Sequence, residues 1–185
     1  MAELVVVGFK SDISRAAAVL GELREADEPW TAGLHGAIAT YRQHGQLTLD
    51  QAYESTKGNA IIAHSMVGSL VGLALAALAL PITAGISGVA AIGTFAAGAI
   101  GGSIVGARHT DEASWWKDDL QVPQAFLDNI RTCIQDGDSA ILFLLRSPAG
   151  IDVAARFAPY NGAVFHTALT PEQTDKLQAR LAIAE

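Results

Sequence analysis

The sequence predicts an α+β fold, a split β-α-β sandwich interrupted by an inserted hydrophobic hairpin of two helices. Three observations support this prediction. Short β-branched runs alternate with amphipathic helices at both ends of the chain. A similar strand-and-helix pattern occurs in each half. Between the halves, residues 58–107 contain no Asp, Glu, Lys or Arg. We therefore divide the chain into a first half-domain (1–57), the hairpin (58–107) and a second half-domain (108–185).

The first half-domain reads as a strand, a helix and a β-hairpin. Leu4–Phe9 is a nearly continuous apolar run, typical of a buried strand. Ser11 and Asp12 can cap a helix over roughly 12–27, and Pro29 prevents its continuation. A strand between Trp30 and Arg42, a turn at 44–46 and a return strand through Leu47 and Leu49 complete this half.

The second half-domain repeats the alternation of helices and strands. Pro123 precedes an amphipathic helix, and Ser139–Leu145 is the strongest strand candidate in the chain. A helix opening at Ser147-Pro148 and closed by Pro159 leads to a strand over Gly162–Leu169. Thr170-Pro171-Glu172-Gln173 then combines an N-cap, an N1 proline and a capping-box Gln, which predicts the start of a terminal helix.

An internal similarity links the two ends of the chain. VVVGFKSDISRAAAVL and LFLLRSPAGIDVAARF each place a basic residue, a serine and an Ala-rich helix after a strand. Two β-α-β units of this kind form the ferredoxin-like sandwich, in which helices cover one face of an antiparallel sheet. The hydrophobic hairpin would then be an insertion between the two units.

The central run is long enough for two membrane helices. Ile61–Leu80 and Ile82–Gly106 would measure roughly 30 and 37 Å at about 1.5 Å per residue, against a hydrocarbon core of about 30 Å. Pro81 stands where the chain would turn. Flanking basic and aromatic residues predict both ends at the cytoplasmic interface: Lys57, Arg108, Trp115 and Trp116. Ordinary core packing is the alternative for the two tryptophans.

Small residues form stripes along both predicted helices. They lie four apart on the second helix and make one GxxxG step on the first: Ala90, Thr94, Gly98, Gly102, Gly106, and Gly68 with Gly72. Such stripes allow close helix contact in lipid. They would join the two helices of one hairpin, neighbouring protomers, or both. An alternative is that the hairpins are buried inside a soluble assembly.

No catalytic or cofactor-binding constellation is found. The histidines lack metal-ligand spacing, Cys133 is the single cysteine, and no nucleophile motif or phosphate loop is present. We expect no enzyme activity, cofactor or metal. His64 is the one titratable group in the apolar run, a candidate pore or polar site. The net charge of −7, with acidic residues in excess in both flanks, argues against nucleic-acid binding.

The order of these elements resembles a known family. An ELVVVGF strand, an Ala-rich helix, a Gly/Ala-rich hairpin, a SAILFLL strand and a TALTPEQ helix start are similar to the bacterial family of domain of unknown function 1269, predicted membrane proteins. The likeness spans nearly the whole chain. It implies a bacterial membrane-associated protein and supplies no active site.

These observations together favour a non-enzymatic protein of the bacterial inner membrane. A glycine-zipper hairpin would anchor a cytoplasmic α+β domain in the lipid bilayer and promote homo-oligomerisation. Two alternatives remain open from the sequence. The hairpins could form an oligomeric pore or small-solute channel, or they could be buried in a soluble self-assembling scaffold or shell.

Overall fold

The computed structural model describes residues 2–26, 33–54, 60–78, 115–146 and 152–183. Within these ranges the chain forms a mixed α/β fold. The strands are β1 (Ala2–Phe9), β2 (Leu34–Gln43), β3 (Gln46–Glu54), β4 (Ser139–Arg146) and β5 (Ala163–Leu169). The helices are α1 (Arg15–Ala26), α2 (Ala60–Leu78), α3 (Gln124–Cys133), α4 (Val153–Phe157) and α5 (Pro171–Ile183). Residues 115–118 add one helical turn.

The strands form one antiparallel sheet in the order β3-β2-β4-β1-β5. β4 therefore lies between β1 and β2, although it follows them by about a hundred residues in sequence. The β2–β3 turn is formed by His44 and Gly45, both at positive φ (54° and 76°), as a two-residue hairpin turn requires. All five strands lie within one or a few residues of their predicted positions.

Helices cover both faces of the sheet, whereas the sequence predicted cover on one face. On the first face, α1 and α4 pack over residues such as Val5, Ile141 and Phe143. On the second face, α2, α3 and α5 pack over residues such as Val6, Leu142 and Leu144. The reason is the sequence of β1 and β4, whose side chains are apolar on both sides and are nearly all buried.

The predicted two-helix hairpin is not confirmed. Its first helix, predicted over Ile61–Leu80, is present as α2, but α2 packs against β2, β3 and α3 in the second core. Its second helix, predicted over Ile82–Gly106, lies outside the described residues. Among the described helices, none has the length and apolar character needed to cross a membrane.

The other helices differ from prediction mainly at their ends. α1 begins at Arg15, because Asp12 accepts hydrogen bonds from Ser14 through its side chain and so forms a local turn first. α4 begins at Val153, with Asp152 as its N-cap. The capping box of α5 is confirmed: Gln173 N donates to Thr170 Oγ1 (3.1 Å), and Thr170 N donates to Gln173 Oε1 (2.9 Å).

Candidate functional site

The predicted site residues that the structure describes lie in the layer formed by α2, residues 115–122 and α3, which we call the α2 layer. Ten residues of α2 between Met66 and Leu78 are buried, and the helix carries no Asp, Glu, Lys or Arg on any side. A helix that is apolar all round must be enclosed by apolar material. The α2 layer is therefore the inner packing layer of the second core.

Trp116 joins the chain after residue 114 to the middle of α2. Its indole Nε1 donates a hydrogen bond to the carbonyl of Ser69 at 2.7 Å, and its side chain is fully buried. Trp115 packs edge-on against it, with ring centroids 5.2 Å apart and an interplanar angle of 73°. Both tryptophans, predicted as membrane-interface residues with core packing as the alternative, are buried in this core.

Arg131 of α3 contacts the C-terminal end of α2. Its Nε donates to the carbonyl of Ala77 at 3.0 Å, and its Nη1 lies 3.1 Å from Oδ1 of Asp128. The last carbonyls of a helix have no partner within the helix and carry partial negative charge, so a guanidinium stabilises them. Trp116 and Arg131 thus hold α2 at its middle and at its end.

The remaining predicted site residues are only partly described. Gly68, Gly72 and His64 lie on α2, where Gly72 is buried. The rest of the predicted set lies outside the described residues: Lys57, Ala90, Thr94, Gly98, Gly102, Gly106 and Arg108. Their roles in helix packing or at a membrane interface stay predictions.

A second polar cluster, which we call the Lys10–Asp138 clasp, joins the β1–α1 loop to the turn between α3 and β4. Lys10 Nζ lies 2.6 Å from Asp138 Oδ2, and Ser11 N donates to Asp138 Oδ1 at 2.9 Å. Gln135 N donates to the same carboxylate at 3.2 Å. Burial opposes ionisation of Asp138, but the bonds and charge of Lys10 and the amide of Ser11 outweigh it and lower its pKa.

Beside the clasp, Ser139, the first residue of β4, caps the N-terminal end of α1. Its hydroxyl accepts a hydrogen bond from Ala16 N at 3.1 Å and donates one to the carbonyl of Asp12 at 2.5 Å. One of the unpaired amides in the first turn of α1 is thereby satisfied by β4. The clasp and this cap fix the position of α1 over the sheet.

The polar groups of these two regions are engaged in structure. The carboxylate of Asp138 already accepts three hydrogen bonds, and burial raises the pKa of the Cys133 thiol to about 11. A thiol with that pKa is protonated at neutral pH and is a weak nucleophile. Within the part of the chain that the structure describes, no group of His, Cys, Asp and Glu could hold a metal ion. The hydrogen bonds and ion pairs of these two regions fix the positions of α1 and α2 in the fold.

Sequence analysis singled out Trp116, with core packing as one of two roles, but it identified none of the hydrogen bonds and ion pairs that fix α1 and α2. Lys10 directly follows the last residue of β1, and Asp138 directly precedes the first residue of β4. These two strand residues, Phe9 and Ser139, pair with each other. Opposite charges at the joined ends of two predicted strands were a usable signal once those strands were paired. The sequence carries no comparable signal for the hydrogen bonds from Trp116 to Ser69 and from Arg131 to Ala77. In each of them the acceptor is a backbone carbonyl of an apolar helix, which any residue would supply.

Comparison with models of protein families gives a match over most of the chain. A family model described as protein of unknown function (DUF1269) matches residues 65–182. The match includes most of α2, the rest of the α2 layer and nearly all of the second half-domain. No curated protein and no solved structure matches the chain.

Proposed function

The chain belongs to the DUF1269 family of proteins of unknown function, and from this premise we propose that it is a non-enzymatic protein of the bacterial inner membrane. In this proposal the uncharged segment after α2 inserts into the lipid bilayer and anchors the α/β domain on the cytoplasmic side. The domain supplies the fixed base, and small residues of the segment promote association between copies.

One observation carries this proposal: the last residues described before the uncharged segment and the first described after it lie in the same layer. Before the segment, Arg131 donates a hydrogen bond to Ala77 near the end of α2, and after it Trp116 donates one to Ser69. Ser69 and Leu78 are about 13 Å apart along the helix axis at about 1.5 Å per residue. Both ends of residues 79–114 are therefore fixed in the same layer, as insertion from one side of the bilayer would require.

The composition of that segment supports lipid as its surroundings. Residues 79–107 carry no charge, and Gly or Ala occupies many of the positions. Two complete membrane crossings take about 40 residues. With α2 packed on the sheet, the uncharged residues that follow it are too few for two crossings, so we propose that the segment enters and leaves on one side of the bilayer.

The small-residue stripe supports association within the bilayer. Gly98, Gly102 and Gly106 lie four apart, the spacing that lets helix backbones approach closely where lipid offers no hydrophobic drive. The same stripe serves contacts within one segment or between copies.

We further propose that the domain is a ferredoxin-like sandwich with β3 as an added edge strand. The strand order supports this. β4 lies between β1 and β2, and β1 lies between β4 and β5, so each β-α-β unit places one strand inside the other unit.

The burial of α2 within protein favours a second candidate, the soluble scaffold in which the apolar segments pack together inside an assembly. Ten residues of α2 are buried in the second core, so protein side chains pack against this part of the uncharged run. In this second candidate, the uncharged residues after α2 also pack against protein side chains.

Alkaline carbonate extraction of native membranes separates the two candidates. For the anchored protein, the chain stays in the membrane pellet, and Ile100→Lys releases it, because a charge in an apolar segment costs about 3 kcal/mol on insertion. Ala18→Lys, on the exposed side of α1, is the matched control and should stay in the pellet. Complete extraction of the wild-type chain into the supernatant would refute the anchor and leave the scaffold.

A further inference from the structure

The two edges of the sheet differ in how they are protected. On the β3 edge, Asp50 and Glu54 place charges on the strand, and Asp50 is an additional residue between the pairs Ala39–Gln51 and Thr40–Leu49. Charges and bulges of this kind keep an edge strand from pairing with another strand. The β3 edge is therefore blocked against further pairing.

The β5 edge carries none of these protections. Its sequence, AVFHTAL, contains no Asp, Glu, Lys, Arg or Pro, and its pairing with β1 runs from Ala163 to Leu169 without a break in register. Among the described strands, none lies on its outer side. Ala163, His166 and Ala168 are exposed. A straight, uncharged strand of this kind presents backbone donors and acceptors to another strand.

We propose that β5 is a self-pairing surface, on which β5 of a second copy of this chain adds antiparallel to give a continuous sheet across two domains. If the whole strand pairs, the two-fold axis that relates the two copies passes beside His166, the middle residue of β5. His166 of one copy then lies opposite His166 of the other. Val164 then faces Ala168 of the second copy, and Phe165 faces Thr167.

The residues on each face fit a second copy. Phe165 is partly buried and packs against the second core, and across the axis it meets a β-branched threonine, a favourable cross-strand pair. On the other face, the larger Val164 meets the small Ala168. No like charges oppose each other, and each His166 has its own acidic neighbour, with Nδ1 3.8 Å from Oε2 of Glu3.

This inference concerns the oligomerisation part of the proposed function, but it rests on a different surface from the small-residue stripe. Failure of membrane anchoring in carbonate extraction would leave it standing. Loss of β5 pairing would likewise leave the anchor standing.

Disulfide trapping tests the pairing in the full chain, in membranes or mild detergent. His166→Cys is expected to form a disulfide-linked species of twice the 19.3 kDa chain mass, because cross-strand partners in a sheet lie close enough for the bond. Gln51→Cys, exposed on the β3 edge, is the matched control and should stay monomeric under the same oxidant. The native Cys133 is buried and does not interfere.

A charge variant tests the same pairing without a new covalent bond. His166→Lys places two ammonium groups opposite each other at the axis, while Glu3 still balances each charge within its own chain. We expect the mass of the assembly to fall at low salt, as the β5 contact is lost, and to be partly restored at high salt. Ala52→Lys on β3 should leave the mass unchanged, and circular dichroism confirms the fold of both variants.

Three outcomes would overturn the proposal. One is a monomer for the wild-type chain together with no linked species from His166→Cys. The second is equal trapping of the Gln51→Cys control. The third is linkage of His166→Cys to a different protein only.

Discussion

The carboxylate of Asp138 joins two stretches of chain that are far apart in sequence. It accepts bonds from Lys10 Nζ, Ser11 N and Gln135 N, and its side chain is only 7% exposed. A buried carboxylate with three donors is favourable only while it is ionised and all three are in place. The loss of one partner therefore leaves the others unsatisfied.

We predict that Asp138→Asn lowers the free energy of unfolding by about 2 kcal/mol at pH 7, because hydrogen bonds to a charged group are lost. The folded pKa of Asp138 lies below its unfolded value, so its contribution is full above that unfolded value, about 3.9, and is lost as the pH falls through the folded pKa. Urea unfolding of the wild type and the variant at pH 7, 5 and 3 measures the contribution of Asp138 to the free energy of unfolding.

The difference between wild type and Asp138→Asn should therefore be constant from pH 7 to 5 and shrink at pH 3. Asp50→Asn, exposed on β3, is the control and should change stability by less than about 0.5 kcal/mol. A difference that grows as the pH falls would contradict the assigned role.

Two glycines in this chain have opposite surroundings, which gives a matched pair of substitutions. A Cβ on Gly8 of β1 would lie 2.6 Å from Cys133 Sγ and 2.7 Å from its Cβ, whereas a Cβ on Gly21 of α1 would meet nothing within 4 Å. We predict that Gly8→Ala destabilises the fold by about 2 kcal/mol through overpacking. Gly21→Ala should stabilise it by about 0.5–1 kcal/mol, since it lies in a helix.

Thermal unfolding of the two alanine variants checks this prediction. Their melting temperatures should move in opposite directions from wild type. A neutral Gly8→Ala would mean that α3 does not sit against β1 as closely as the contact with Cys133 requires.

At the scale of the element, α2 depends on side chains that bind its backbone carbonyls. Because α2 is apolar on every side, its core contacts do not by themselves fix its rotation or its position along its axis. The hydrogen bonds from Trp116 to Ser69 and from Arg131 to Ala77 are directional and fix both. These two bonds therefore fix the position of Leu78, after which the uncharged residues 79–107 begin.

We predict that Trp116→Phe and Arg131→Met each lower the stability of the fold by about 1 kcal/mol, since each removes one hydrogen bond while keeping most of the apolar contact. Hydrogen exchange should rise along α2 more than along α1. Arg24→Met, exposed at the end of α1, is the control and should leave exchange in α2 unchanged. Uniform exchange in all helices would argue against a local role.

At the scale of the whole molecule, the sheet separates two cores. Ile141 and Leu142 are neighbours in β4 and both are buried, but they lie in different cores because successive side chains of a strand point to opposite faces. Each core is covered by its own helices. The sheet is therefore the middle layer of three.

We predict that Ile141→Ala and Leu142→Ala each destabilise the domain by about 2–5 kcal/mol, the usual loss for a large aliphatic side chain in a packed core. Denaturant unfolding of the two variants measures this. A sheet covered on one face, as the sequence predicted, would tolerate one of the two substitutions. A small effect of Leu142→Ala would thus contradict the packing of α2 and α3 on the sheet.

The sequence was a good guide to the strands and a poor guide to the layers. Continuous apolar runs and the Thr170–Gln173 capping box are local signals, and they located β1, β4, β5 and the start of α5 correctly. The position of α2 could not be derived in the same way. The uncharged sequence AIIAHSMVGSLVGLALAAL is as typical of part of a membrane segment as of a helix buried in a core, so composition alone does not separate the two locations.

The place of β4 in the sheet has a consequence for how the protein is made on the ribosome. β1 and β2 are the first strands synthesised, yet they do not touch each other, because β4 fills the position between them. The sheet therefore cannot close until residue 146 has emerged. By then the uncharged run 58–107 has already left the ribosome. The core that covers α2 is therefore completed only after the whole uncharged run has left the ribosome.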